Sequence, residues 1–183
     1  MKVSSQVSEI DGVKFTKAKN VSDIRGTFIK FHPLQELELS LDSVALSINP
    51  DAGTLRGLHF QVEPYAENKL IACVQGSIFD VIVDLRPGSR TIGKWTSFEL
   101  SAGNGVQVYL PKGIAHGFQT LVPNSIVHYS LSTSYSPESS YSIDPHGDLG
   151  INWPLETVSI SERDSKGVSF EIAVKKYANS IKP

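Results

Sequence analysis

The chain has 183 residues, of which 40% are hydrophobic and 20% charged, with a formal net charge of −2. That length suits one domain over residues 1–183, able to bury about 70% of the surface its unfolded chain exposes. The near-neutral balance excludes the broad basic face that nucleic acid or an anionic membrane would need, so any phosphate must be held by local cations. In chain order, short β-rich runs bounded by Gly, Pro, Asn or Asp predict strands at 12–17, 27–31, 43–49, 54–61, 69–75, 78–85, 94–100, 107–110, 116–121 and 126–133. A short helix is predicted at 33–41, where Pro33 can start it and Leu34, Leu37 and Leu41 share a face. A second helical or irregular stretch follows Ser161, and the polar tail 175–183 is expected to fray or lie on the surface. Strands at this spacing indicate an all-β sandwich or barrel.

The single cysteine, Cys73, rules out an intrachain disulfide and suits a reducing compartment. It lies in an apolar run and reads as a small core residue. The first residues carry no apolar run of the secretory kind, and no stretch approaches the ~20 apolar residues of a membrane span. A cytoplasmic location is therefore expected.

Alternation within strands assigns faces. In 78–84, Phe79, Val81 and Val83 share one face, and Asp80 and Asp84 are expected to be solvated on the other. In 126–133, Tyr129 is expected to point into the barrel and His128 out of it. Trp95 and Trp153 read as packing residues.

Two segments carry chemistry. The first runs from Gly53 through Arg56-Gly57-Leu58-His59-Phe60-Gln61 to Glu63 and Gly76. The second runs from Gly105 through Pro111-Lys112-Gly113-Ile114-Ala115-His116. They resemble the two motifs of the cupin jelly roll. Gln61 stands where a metal-binding cupin has a second histidine, and an amide is a poor ligand for the metals that imidazole suits. With only Glu63 and His116 left to complete a shell, no catalytic metal is expected. His59 then reads as an organic base, with a pKa near neutrality. Lys69 can stabilise an enolate oxygen by charge, Tyr129 can return a proton and Arg56 can hold a phosphate. Arg56 lies three residues from His59 and would point the other way unless Gly57 marks a bulge.

Across nearly its whole length the chain resembles the dTDP-4-dehydrorhamnose 3,5-epimerase family. The resemblance is carried by Asp23-Ile24-Arg25-Gly26-Thr27-Phe28, Gly53 to Gln61, Asn68-Lys69-Leu70, Gly76 to Arg86, Ser89 to Trp95 and Leu110 to Phe118. It continues through Tyr129 to Pro137, Leu149 to Pro154 and Ser161-Glu162-Arg163-Asp164. It implies a cupin-type jelly roll, a double-stranded β-helix with one or two short helices, assembled as a homodimer. It implies a substrate that is a nucleotide-linked 4-keto-6-deoxyhexose, and no cofactor. His59 matches the general base, Asp164 the carboxylate that orients it, Lys69 the enolate-side lysine and Tyr129 the general acid. His116 matches a second histidine at the keto sugar, Tyr135 an aromatic near the nucleotide or sugar, and Arg56 a pyrophosphate contact. Gln61 shares the face of His59 and is counted with the substrate-binding set. Arg25 and Phe28 match residues that reach the nucleotide from the neighbouring subunit. Lys30 stands where dTDP-using members commonly have glutamate, and the family's Gln-x-Asn segment has no counterpart at Val44 to Ser47, which leaves the base open. Two other readings stay open: a metal-dependent cupin isomerase or dioxygenase, and a non-catalytic nucleotide-sugar-binding cupin.

Overall fold

The computed structural model describes residues 9–31, 37 and 40–182. The strands are β1 (Lys14–Lys17), β2 (Lys19–Asp23), β3 (Gly26–Lys30), β4 (Ser43–Asn49), β5 (Thr54–Gln61), β6 (Lys69–Gln75) and β7 (Ser77–Asp84). They continue as β8 (Trp95–Ser101), β9 (Val106–Leu110), β10 (Ile114–Thr120), β11 (Ser125–Leu131), β12 (Ser140–Ser142) and β13 (Ser159–Ile160). The helices α1 (Glu162–Ser165) and α2 (Phe170–Ser180) close the chain. Each of the ten predicted runs is a strand, with ends moved by at most two residues. Three strands escaped the sequence reading. The residues of β2 are exposed and show no apolar alternation, while β12 and β13 are too short to carry a period. The helix predicted at 33–41 falls mostly outside the described residues; of its face, Leu37 is buried against Leu70 and Tyr109.

The architecture is a jelly roll of two antiparallel sheets. One sheet has the order β1-β9-β6-β11-β4, the other β12-β5-β10-β7-β8 with β13 parallel to β5, and β2 and β3 form a hairpin of their own. The core between the sheets joins Ile71 and Cys73 of β6, Val127 of β11 and Val108 of β9 to Ile78 and Ile82 of β7 and Phe118 of β10. Cys73 is thus a core residue, as read from sequence, and burial pushes its thiol up to about 11.

A second core lies on the outer face of the second sheet. There Phe79, Val81 and Val83 of β7 pack with Leu58 and Phe60 of β5 beneath Ala173 and Tyr177 of α2. Ser169 caps α2 by accepting from the Ile172 N–H, and the four-residue spacing of Ala173 and Tyr177 puts both on the covered side. Of the two expectations for the tail, packing on the surface holds: the helix runs to Ser180. This covering also corrects the expectation for Asp80 and Asp84. The apolar row of β7 faces outward into the α2 layer, so the carboxylates point between the sheets and both are fully buried. Asp84 accepts from Arg86, Ser89 and Thr91. Burial alone would raise its carboxyl, but those hydrogen bonds bring it down to about 2.

The bulge foreshadowed by Gly57 is present. His116 of β10 pairs with His59 and Phe118 pairs with Arg56, so β5 carries one residue more than its partner between these points. The extra residue reverses the alternation and turns Arg56 and His59 to the same side. A Cβ on Gly57, whose φ is +110°, would sit 2.6 Å from Gly117 Cα and 2.7 Å from the His116 carbonyl oxygen. Gly57→Ala should therefore cost about 2–5 kcal/mol from the combined clash and backbone strain. Urea denaturation of the variant checks this, and an unchanged midpoint would refute the packing described.

Candidate active site

Between the sheets, a cavity of about 200 Å³ is lined by Arg56, His59, His116, Phe118 and Tyr129, with Ala45, Leu46 and Ser47 at its β4 edge. β5, β10 and β11 each supply one of its polar aromatic side chains. A second cavity of about 360 Å³ shares Arg56 and His59 and extends to Ser161, Arg163 and Asp164.

His59 Nε2 lies 2.7 Å from Asp164 Oδ1, although 105 residues separate them. Local structure accounts for this meeting. β13 runs parallel to the start of β5, with Ser159 beside Thr54 and Ile160 beside Leu55. Ser161 then caps α1, its side chain accepting from the Asp164 N–H at 3.1 Å. Asp164, in the first turn, reaches back over the bulge, and its Oδ2 accepts the Gly57 N–H at 3.2 Å. Burial would raise the Asp164 carboxyl, but the hydrogen bond and charge of His59 and the Gly57 N–H outweigh it, to about 2. The His59 ring is still 38% exposed. Burial lowers its pKa, helped by the charges of Lys69 and Arg163 and opposed by Asp164. His59 is thus a neutral imidazole at pH 7 with a carboxylate behind it, the arrangement of a general base.

A second pair lies opposite. His116 is buried, and its Nε2 is 2.7 Å from Asp80 Oδ2. Burial raises the Asp80 carboxyl against the pull of His116 and Lys69. The Tyr129 ring stands edge-on to His116, with centroids 5.9 Å apart and planes at 75°. Burial, and then the Asp80 charge, push the Tyr129 phenol far above its ordinary value, so it carries its proton at every working pH. Tyr129 points into the barrel, as read from sequence, whereas His128 stacks on Phe31 outside.

The other expected residues divide. Lys69 is buried, its Nζ donating to the His59 carbonyl at 3.3 Å and pairing with Glu67 at 3.2 Å. Arg56 borders both cavities, and its Nε donates to Asn49 Oδ1 at 2.8 Å. Gln61 is not among the residues that line the cavity. Its Nε2 donates to the Tyr65 and Ser134 carbonyls and its Oε1 accepts the Ser136 N–H, which ties down the loop carrying Tyr135. Tyr135 is mostly exposed, and its hydroxyl accepts from Arg163, which also donates to Ser140. Arg25 and Phe28 lie on the β2–β3 hairpin, lining another cavity and meeting neither histidine within this chain. Asp80, Glu67, Asn49 and Arg163 were missed. For Asp80 the signal was present: a nearly continuous apolar run implies two covered faces, and a covered charge must be paired. Arg163 lay inside a matched segment without a role. Among the described residues, no group of three or more His, Cys, Asp or Glu is gathered as a metal site, and no helix is long and apolar enough to cross a membrane.

Residues 7–171 match the family model described as dTDP-4-dehydrorhamnose 3,5-epimerase. The dTDP-4-dehydrorhamnose 3,5-epimerase of Sinorhizobium fredii is 41% identical over 169 residues, covering 87% of this chain and 86% of the relative. Among solved structures, the 4-keto-6-deoxy sugar epimerase NovW of Streptomyces spheroides superposes with a TM-score of 0.86 at 31% identity, covering 94% of this chain and 92% of that one. The Legionella pneumophila enzyme, solved in complex with dTDP-4-keto-L-rhamnose, gives 0.84 at 34% identity, covering 90% and 91%.

The Asp164 carboxyl is depressed by its partners, so its contribution to stability is fully present above an unfolded value near 4 and is lost as pH falls toward about 2. Asp164→Asn should remove about 2 kcal/mol at pH 7. It should also flatten part of the acid limb of stability, to which Asp84, likewise depressed to about 2, contributes as well. Urea midpoints measured from pH 7 down to pH 2 check both statements.

Proposed function

The chain belongs to the dTDP-4-dehydrorhamnose 3,5-epimerase family, and on that premise we propose that it inverts C3, C5 or both in a nucleotide-linked 4-keto-6-deoxyhexose. The observation that carries this reading is a neutral histidine backed by a buried carboxylate, sharing one cavity with a protonated tyrosine. The C4 ketone acidifies the hydrogens on its neighbours. His59 removes one of them as a proton, and the electron pair moves onto the C4 oxygen. Asp164 supports the imidazolium that results, as in other His–Asp pairs. Lys69 and His116 stabilise the oxygen's negative charge. Tyr129 delivers a proton to the opposite face of the same carbon, the ketone re-forms and the centre is inverted. The proton held by His59 and the one lost by Tyr129 then equilibrate with water. Base, acid and charge acceptor are all side chains, so the chemistry calls for no cofactor.

Recognition of the diphosphate falls to Arg56, whose guanidinium Asn49 steadies from one edge. The nucleotide would be completed by Arg25 and Phe28 from a second copy of the chain. The hairpin that bears them pairs only with itself among the described residues and exposes Val21, Ile24 and Phe28. The outer row of β4, Val44, Leu46 and Ile48, is exposed as well, which supports association through these apolar faces. The single free cysteine, Cys73, supports a cytoplasmic location. Lys30 and Val44 leave the base to experiment.

Incubation with dTDP-4-keto-6-deoxyglucose in D₂O, followed by NMR, should show deuterium at C3, C5 or both. His59→Ala should reduce that exchange about 10²–10⁴-fold. Tyr129→Phe should retain wash-in from the His59 side while losing inverted product. Absence of exchange in the dTDP, CDP, GDP and UDP forms of the sugar would refute the reading.

A further inference from the structure

Lys69 is a buried cation, and the way it is held has a consequence for the reaction. Its side chain is 8% exposed and that of its partner Glu67 is 10% exposed. From β6 it crosses between the sheets, so that Nζ donates to the His59 backbone carbonyl on β5. Its charge is felt at both histidine–carboxylate pairs, lowering the pKa of the His59 ring and opposing the rise at Asp80. An ammonium has three donors. Among the described residues, one is given to the His59 carbonyl and Glu67 adds an ion pair at 3.2 Å, so the ammonium keeps donor capacity beyond these two partners.

Asp80 competes for the same cation. Its Oδ2 is bonded to His116, but its Oδ1 is buried with no partner among the described residues. A buried carboxylate oxygen left in this state attracts any mobile cation within reach. Glu67, two residues before Lys69, provides the opposing attraction from its own side.

We propose that Glu67 is a positioning residue for the epimerisation: its carboxylate holds the Lys69 ammonium against the His59 backbone and off Asp80 Oδ1, so that one donor stays aimed at the C4 oxygen where negative charge develops. The inference rests on the enolate role of Lys69 under the function proposed above. Because that charge exists only as the proton leaves, Glu67 acts on the rate of the chemical step and not on substrate binding.

The test uses the full chain with Glu67→Gln and Glu67→Ala, each also in a Lys69→Met background. Affinity for dTDP by calorimetry and the thermal midpoint establish that each variant is folded with its site intact. The expected result is a fall in kcat and in deuterium wash-in of about 10–100-fold with KM little changed, below the 10²–10³ typical of deleting an oxyanion donor because the ammonium is misplaced and not removed. In the Lys69→Met background the same substitutions should have no further effect. An equal loss in both backgrounds, a rise in KM with kcat preserved, or unchanged rates would overturn the proposal. A crystal structure of Glu67→Ala decides independently of turnover. Lys69 Nζ within hydrogen-bonding distance of Asp80 Oδ1 supports the proposal, and Lys69 unmoved against the His59 carbonyl overturns it. A parent without exchange on any keto sugar would count against the function and leave this structural readout to judge Glu67.

Discussion

The site depends on the close approach of β5 and β10 at Gly57 and Gly117, where neither residue leaves room for a side chain on its partner's backbone. Three features follow from this contact. The extra residue on β5 turns Arg56 and His59 to the same cavity. His59 and His116 become direct cross-strand neighbours, so two imidazoles sit within one small volume. The Gly57 N–H is also left for the carboxylate of Asp164. One irregularity in a ladder thus aligns His59, His116 and the carboxylate of Asp164, the groups proposed for the chemistry. Pleated geometry without it would have put the guanidinium and the imidazole on opposite faces.

Around that point the fold buries charge in matched sets. Asp164 answers His59, Asp80 answers His116, Glu67 answers Lys69 and Asp84 answers Arg86. A buried carboxylate without such a partner would be costly, and the pairs differ in how fully that cost is met. Asp84 and Asp164 receive enough hydrogen bonds to stay ionised with ease, whereas Asp80 has one oxygen without a partner among the described residues and a raised pKa. The well-satisfied carboxylates brace the structure; the poorly satisfied one lies beside Tyr129 and His116.

Much of the fold could be read from the sequence because its strands are short, rich in β-branched residues and separated by turn formers. His59, His116 and Tyr129 were placed correctly by alternation and motif, and the Gly57 bulge by the presence of a glycine inside a strand. What failed did so for tertiary reasons. Asp80 and Asp84 were expected in solvent because alternation assumes one wet face, and the α2 layer removed it. The same packing decided between the two expectations for the tail, since Tyr177 has a site to fill and the helix lies on the sheet. Asp164 rested on a four-residue resemblance, because no local pattern foretells a contact across 105 positions. Gln61 was assigned by face alone, and the hydrogen bonds of its amide to the loop carrying Tyr135 had no local signal.

The separate sheet formed by β2 and β3 has an implication for how such a protein diversifies. The groups proposed for proton transfer sit on strands locked into the two main sheets or, for Asp164, on α1 anchored to them. Arg25, Phe28 and Lys30 sit on a ribbon whose strand pairing touches neither sheet. On the proposed function, substitutions on that ribbon alter what it presents to a nucleotide while leaving the hydrogen-bond ladders that aim His59 intact. On that reading, drift in the recognised base is mechanically insulated from the groups proposed for proton transfer.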